Sequence, residues 1–87
     1  MIRVHIPSPL YSYTGGLKQI EADGESLAAL LLGLDRRYPG LRHRIVDEQD
    51  HIRRHIRFFI NGDMAADLDR TLHGDDEVMI VAALSGG

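Results

Sequence analysis

The sequence has 87 residues, no cysteine, and 10 basic against 13 acidic side chains for a formal net charge of −3. That length gives one domain with a modest core and no room to enclose a large cleft. The missing cysteine excludes disulfides, a thiolate metal site and a cysteine nucleophile, and the charge balance gives no push toward nucleic acid. No signal peptide or long apolar span is legible, so the expectation is a cytoplasmic protein, independent of membranes.

Ile2, Val4 and Ile6 alternate with Arg3 and His5, which predicts a half-buried first strand ended by Pro7 and Pro9. Leu10 to Tyr13 read as an irregular connection. Thr14-Gly15-Gly16 signals a turn, since it lacks the lysine and the following helix that a phosphate cradle needs. Leu17 to Ala22 then form a second strand, paired with the first as a hairpin. Lys18 is the single lysine, and a lone surface lysine carries no functional weight.

Asp23-Gly24-Glu25-Ser26 announces a helix with Ser26 as N-cap. Leu27, Leu30, Leu31 and Leu34 recur at helical spacing, Tyr38 continues the stripe, and Pro39-Gly40 ends it. A small sheet needs one helix to cover it, so the stripe reads as core rather than as a partner groove. In the polar stretch from Leu41 to Arg54, Leu41, Ile45 and Ile52 can anchor a short helix and a loop. His43, His51 and His55 fall in or beside it, with His5 and His73 elsewhere, in a spacing that matches no zinc signature.

Ile56-Arg57-Phe58-Phe59-Ile60 is the clearest central strand, closed by the turn dipeptide Asn61-Gly62 and followed by a short strand from Met64 to Ala66. Asp67 to Leu72 read as a turn or 3₁₀ piece, and His73-Gly74-Asp75-Asp76 lead into the last strand. Charge is uneven: Arg36, Arg37, Arg42, Arg44, Arg53, Arg54 and Arg57 lie mid-chain, while Asp63, Asp67, Asp69, Asp75, Asp76 and Glu77 crowd the last third. Ordinary solvated surface accounts for this. The alternative is an acidic patch beside the C-terminal tail that steers it toward a basic partner groove.

The last strand passes without a linker into Ala82-Ala83-Leu84-Ser85-Gly86-Gly87. Glycine marks a turn or a close backbone approach, and with no chain following, the use left for Gly86-Gly87 is to be thin enough to thread a narrow channel. Extended, Ala82 to Gly87 reach roughly 20 Å and present the Gly87 carboxylate, ionised at neutral pH.

An acidic turn, a strand and a terminal Gly-Gly together resemble the ubiquitin-like sulfur carriers: the small subunit of molybdopterin synthase, the thiamine sulfur carrier and the carrier of cysteine biosynthesis. The Asn61-Gly62 turn and the Tyr13-Thr14-Gly15-Gly16 loop add to the likeness, the loop and the Leu41 to Arg54 stretch pointing to the cysteine-pathway carrier. The ending departs from the family pattern in one place, with Ala82 where a proline is usual. The resemblance implies an α+β, β-grasp (ubiquitin-like) single domain, 1–87, with a mixed sheet of four to five strands on one main helix. Its first and last strands would lie side by side in the middle of the sheet, and residues 82–87 would form an extended tail.

The implied function is delivery. An activating enzyme of the ubiquitin-activating type would use ATP to adenylate Gly87, and a sulfur donor would convert it to a thiocarboxylate. A sulfur-accepting synthase, of the cysteine synthase type or the molybdopterin synthase large subunit, would take the sulfur. Gly86, Ser85, Leu84, Ala83 and Ala82 would be the arm, on a body expected to be monomeric when free. No catalytic constellation is visible and no bound cofactor is expected. If Val78 and Ile80 face inward, then Met79 and Val81 face outward, as does Phe59 by the same alternation, giving a docking patch of Phe59, Met79 and Val81. The alternative is that the Leu41 to Arg54 segment covers that face. A ubiquitin-like modifier conjugated through Gly87, or an interaction module with an incidental Gly-Gly, are the readings from other classes.

Overall fold

The computed structural model describes residues 1–83. Five strands, β1 (Ile2–His5), β2 (Gln19–Ala22), β3 (Ile56–Ile60), β4 (Asp63–Ala65) and β5 (Glu77–Ala82), form one sheet in the order β2-β1-β5-β3-β4. β1 and β5 are parallel neighbours at the centre, and the other pairings are antiparallel. The hairpin, the central position of the first and last strands, and the mixed sheet all match the expectation from sequence. β4 begins one residue earlier than expected, and β2 is shorter, starting at Gln19.

α1 (Leu27–Arg37) crosses one face of the sheet and buries Leu27, Leu30, Leu31 and Leu34 against it. Its N-terminal N–H groups are all accounted for, as burial demands. Leu27 N–H donates to the Arg70 carbonyl and Ala28 N–H to that of Leu68, while Ser26 Oγ accepts from Ala29 N–H at 3.2 Å and the Ser26 carbonyl accepts from Leu30 N–H. The turn from Asp67 to Leu72 therefore caps the helix as well as connecting strands. Gly24 permits the approach: a Cβ there would stand 2.7 Å from Leu30 N and 2.8 Å from Leu30 Cα.

Two segments close the core beside α1. Ser8–Tyr13, expected to be irregular, is a 3₁₀ helix that sinks Leu10 into the core. α2 (Leu41–Ile45) packs on α1 and on that 3₁₀ helix, burying Leu41 and Ile45, with Val46 following them in. The Leu41 to Val46 part of the segment thus completes the helix side of the molecule, and Met79 and Val81 on the opposite sheet face stay exposed. The core is one contiguous cluster around Phe58, Val4 and Val78, each with no exposed surface. Among the described residues no helix is long and apolar enough to cross a membrane.

The turns are chemically specified. Thr14, buried, donates its hydroxyl within the Tyr11 to Leu17 loop, 2.8 Å from the Leu17 carbonyl. Asn61 and Gly62 both take positive φ, 51° and 90°, the pair that a two-residue hairpin needs.

Candidate functional site: the end of the central strand and its surroundings

β5 alternates as expected. Val78 and Ile80 are buried, whereas Met79 and Val81 are 44% and 37% exposed on the sheet face away from α1. Cross-strand register places Phe59 opposite Met79 and Arg57 opposite Val81. Phe59 is half-buried by these neighbours. The three side chains singled out from sequence therefore share one face.

Sequence reasoning misses Met64. It sits opposite Phe59 on the far side, 60% exposed, so Met64, Phe59 and Met79 make a continuous row across β4, β3 and β5, with His5 next on β1. A signal for it exists: a two-residue Asn-Gly loop fixes the register of the hairpin, and that register pairs Phe59 with Met64. The row is apolar and uncovered, which suits a protein surface rather than a small molecule.

At the near end of the same face, Arg3, His5 and Glu77 meet. Glu77 Oε2 lies 3.4 Å from an Arg3 guanidinium nitrogen and 3.1 Å from His5 Nε2, although the ring nitrogen is sealed from water and its N–H is not aligned on the carboxylate. The His5 contact first, then the Arg3 charge, holds the Glu77 carboxyl below its ordinary value. These groups mark the start of β5, not its exit.

The exit is at the opposite end. Ala82 remains paired with Ile56, and Ala83 N–H donates to the His55 carbonyl at 2.8 Å. Ala82 and Ala83, assigned to the arm from sequence, are thus held beside β3, and the arm as expected from 82 is shorter by these two residues. Leu84, Ser85, Gly86 and Gly87 lie outside the described residues.

The acidic alternative is corrected by this polarity. Asp75, Asp76 and Glu77 surround the beginning of β5, five strand residues away from the exit at Ala82. What adjoins the exit is basic: a cleft of about 600 Å³ lined by Tyr13, His43, Arg44, Arg53 and His55, floored by Leu10. The parallel pairing explains it, because β1 runs beside β5 and delivers the 3₁₀ helix to the same end. Arg42 is set apart from this group, paired with Asp50 at 2.7 Å. Among the described residues no three His, Asp or Glu side chains converge on a metal-sized space.

The topology, with a mixed sheet wrapped on one helix and a central last strand leading to Gly-Gly, is that of a β-grasp, ubiquitin-like domain. The chain belongs to the ThiS family, whose model matches residues 4–87. It is 29% identical over 91 residues to the sulfur carrier protein CysO of Mycobacterium bovis, covering 99% of this chain and 98% of that one. Among solved structures it resembles an Amycolatopsis orientalis BexX/CysO complex (28% identity, TM-score 0.91, all of both chains). It also resembles Mycobacterium tuberculosis CysO (27%, TM-score 0.90, 97% of this chain and 100% of that one). The small archaeal modifier protein 1 of Methanosarcina acetivorans is similar at 26% identity with a TM-score of 0.81, over 99% of this chain and 95% of that one.

Proposed function

We propose that this protein is a sulfur carrier serving cysteine biosynthesis. A free carboxylate is a poor acyl donor, because its leaving group would be oxide. An ATP-using enzyme of the ubiquitin-activating type therefore joins the Gly87 carboxylate to AMP and releases pyrophosphate. Sulfide then displaces AMP and leaves a terminal thiocarboxylate. A persulfide donor instead gives an acyl disulfide, whose S–S bond a second thiol reduces to release the thiocarboxylate. The chain performs no catalysis in this scheme; it delivers sulfur to an accepting synthase, docking through Phe59, Met79 and Val81 while Gly86 and Gly87 enter the partner's site.

The observation that carries the reading is the full-length match to a sulfur carrier, in a family alignment that runs through residue 87. Supporting it, the last described residues are pinned at the edge of the central strand, so the arm leaves from a rigid point beside an apolar face.

The test is incubation with an activating enzyme, ATP and a sulfide source, followed by a thiol-alkylating reagent and mass analysis of the C-terminal peptide. The chain has no cysteine to react, so an alkyl adduct at Gly87 reports the thiocarboxylate alone. AMP release with no adduct, or no reaction at all, would overturn the carrier reading.

The likeness to a small archaeal modifier favours one second reading, conjugation of Gly87 to lysines of other proteins. Isopeptide adducts bearing this chain in a reconstituted mixture, in place of the alkylated thiocarboxylate, would establish it.

A further inference from the structure

The basic cleft at the exit of β5 has no place in the scheme above. It is assembled from three separated pieces of chain: the end of the 3₁₀ helix (Tyr13), α2 (His43, Arg44) and the approach to β3 (Arg53, His55). Its two guanidinium groups are aimed rather than loose. Arg44 donates from Nε to the Tyr13 hydroxyl, its guanidinium 5.8 Å from that ring's centroid. Arg53 donates from Nε to the His43 carbonyl at 2.7 Å. Each is therefore held by its inner nitrogen, and among the described residues its outer pair makes no hydrogen bond, which leaves the fork that suits a planar oxyanion. Among the described residues neither has a carboxylate within ion-pair distance, unlike Arg42 and Arg3, which both do.

Position says what occupies the cleft. His55 lines it and holds Ala83 through its carbonyl, so the cleft adjoins the last described residue of the chain. The exposed face carrying Met79 and Val81 is the opposite face of the sheet, and Val81, across from Arg57, is its residue next to the exit. A partner seated around the exit meets an apolar face on one side and fixed cations on the other. Two fixed guanidinium groups make a local site that one or two carboxylates can satisfy. The molecule's net charge of −3 opposes the dense, extended charge of a nucleic acid backbone more than it opposes a short acidic segment.

We infer that the cleft formed by Arg44, Arg53, His43, His55 and Tyr13 is a second docking element, taking Asp or Glu carboxylates from an acidic segment of the protein that receives the C-terminal arm. The inference rests on the carrier reading for who the partner is, but its chemistry is testable without that partner. The cleft orients the docked partner and speeds encounter at low salt, while the apolar row supplies retention.

The experiment is a titration of the ¹⁵N-labelled full chain with hexaglutamate, with inorganic phosphate and a hexathymidylate strand run in parallel. Shifts should concentrate on Tyr13, His43, Arg44, Arg53 and His55, and should fade as salt is raised from about 20 to about 300 mM. The Arg44→Gln/Arg53→Gln variant should bind hexaglutamate at least about fivefold more weakly, with Arg36→Gln unchanged. No shift in the cleft of the wild-type chain, or equal affinity in the double variant, overturns the inference. So do matching responses to phosphate at equal anionic charge, which mean an adventitious ion only, and tighter binding of the oligonucleotide. The wild-type map decides even if the double variant fails to fold. The alkylation assay on the same preparations separates the two ideas: thiocarboxylate without a responsive cleft sinks only the cleft. A responsive cleft without thiocarboxylate sinks the carrier reading.

Discussion

Asn61 and Asp76, 15 residues apart, are locked to each other: Asn61 Nδ2 donates to Asp76 Oδ1 at 2.9 Å. The bond is one part of a clasp. Asn61 Oδ1 accepts from Glu77 N–H at 3.0 Å, Asn61 N–H donates to the Glu77 carbonyl at 2.9 Å, and Asp76 Oδ2 accepts from His73 N–H at 2.8 Å. The Asn-Gly turn and the acidic turn, two separate features in the sequence, are one structural unit that sets where β5 begins. The His73 N–H, then the Asn61 amide, holds the Asp76 carboxyl below its ordinary value of 3.8.

Because the folded state binds that proton only at lower pH than the unfolded chain, its contribution is complete above the ordinary carboxylate value. It is lost as pH falls through the folded one. Asp47, held low mainly by the His51 N–H, and Glu77 act in the same direction. Asp76→Asn should therefore cost about 1 kcal/mol at neutral pH. It should also reduce the fall in melting temperature between about pH 6 and about pH 3. Thermal melts across that range decide it, and a slope identical to wild type would show that the clasp is not what titrates.

Two glycines should respond oppositely to alanine. At Gly24 the new Cβ meets the Leu30 backbone at 2.7 Å, so Gly24→Ala should destabilise by roughly 1–3 kcal/mol or shift the start of α1. Gly33 lies inside α1, and a Cβ placed there would have nothing within 4 Å, so Gly33→Ala should stabilise by up to about 1 kcal/mol. Denaturant midpoints at constant slope would check both.

The two faces of the sheet should separate stability from binding. Phe58→Ala empties the centre of the core and should cost about 3–5 kcal/mol. Met79→Asp, at a site 44% exposed, should leave the melting temperature within a few degrees while abolishing formation of a complex with the activating enzyme or the acceptor. Calorimetric melting beside a pull-down or titration would show the contrast. Intact binding by Met79→Asp would remove the apolar row from the docking surface.

Ser26→Ala removes the side-chain acceptor of Ala29 N–H and should cost about 1 kcal/mol. Loss of the Asp67 to Leu72 turn, which supplies backbone carbonyls to the same helix end, should cost more. Hydrogen exchange at Leu27 and Ala28 would rise in either case.

Legibility from sequence followed periodicity. α1, β3 and β5 carry clean 3.6- or two-residue patterns, and β5 could be assigned an inner and an outer face residue by residue. The Ser8–Tyr13 helix could not be read, because a short 3₁₀ segment that starts at two prolines and buries one leucine leaves no period to detect. α2 is five residues long, and its Leu41 and Ile45 pair hinted at a helix without showing that Val46 follows it into the core. Residues 84–87, where the candidate site was placed, lie outside the described residues. The cleft was illegible for a different reason. Tyr13, Arg44 and Arg53 are brought together by the parallel β1–β5 pairing, a long-range relationship that local pattern does not encode.

The bond from Ala83 N–H to the His55 carbonyl also acts as a depth gauge. Beyond it only residues 84–87 remain in this sequence, and four residues span at most roughly 14 Å. On the proposed carrier reading, a receiving site whose reacting atom lies deeper than that below its rim could be reached only by peeling Ala83 and Ala82 off β3, giving up the Ala83 backbone bond, worth about 1 kcal/mol. On that reading, the pairing of Ala83 with β3 would sort acceptors by the depth of their channels as well as by the surfaces around them.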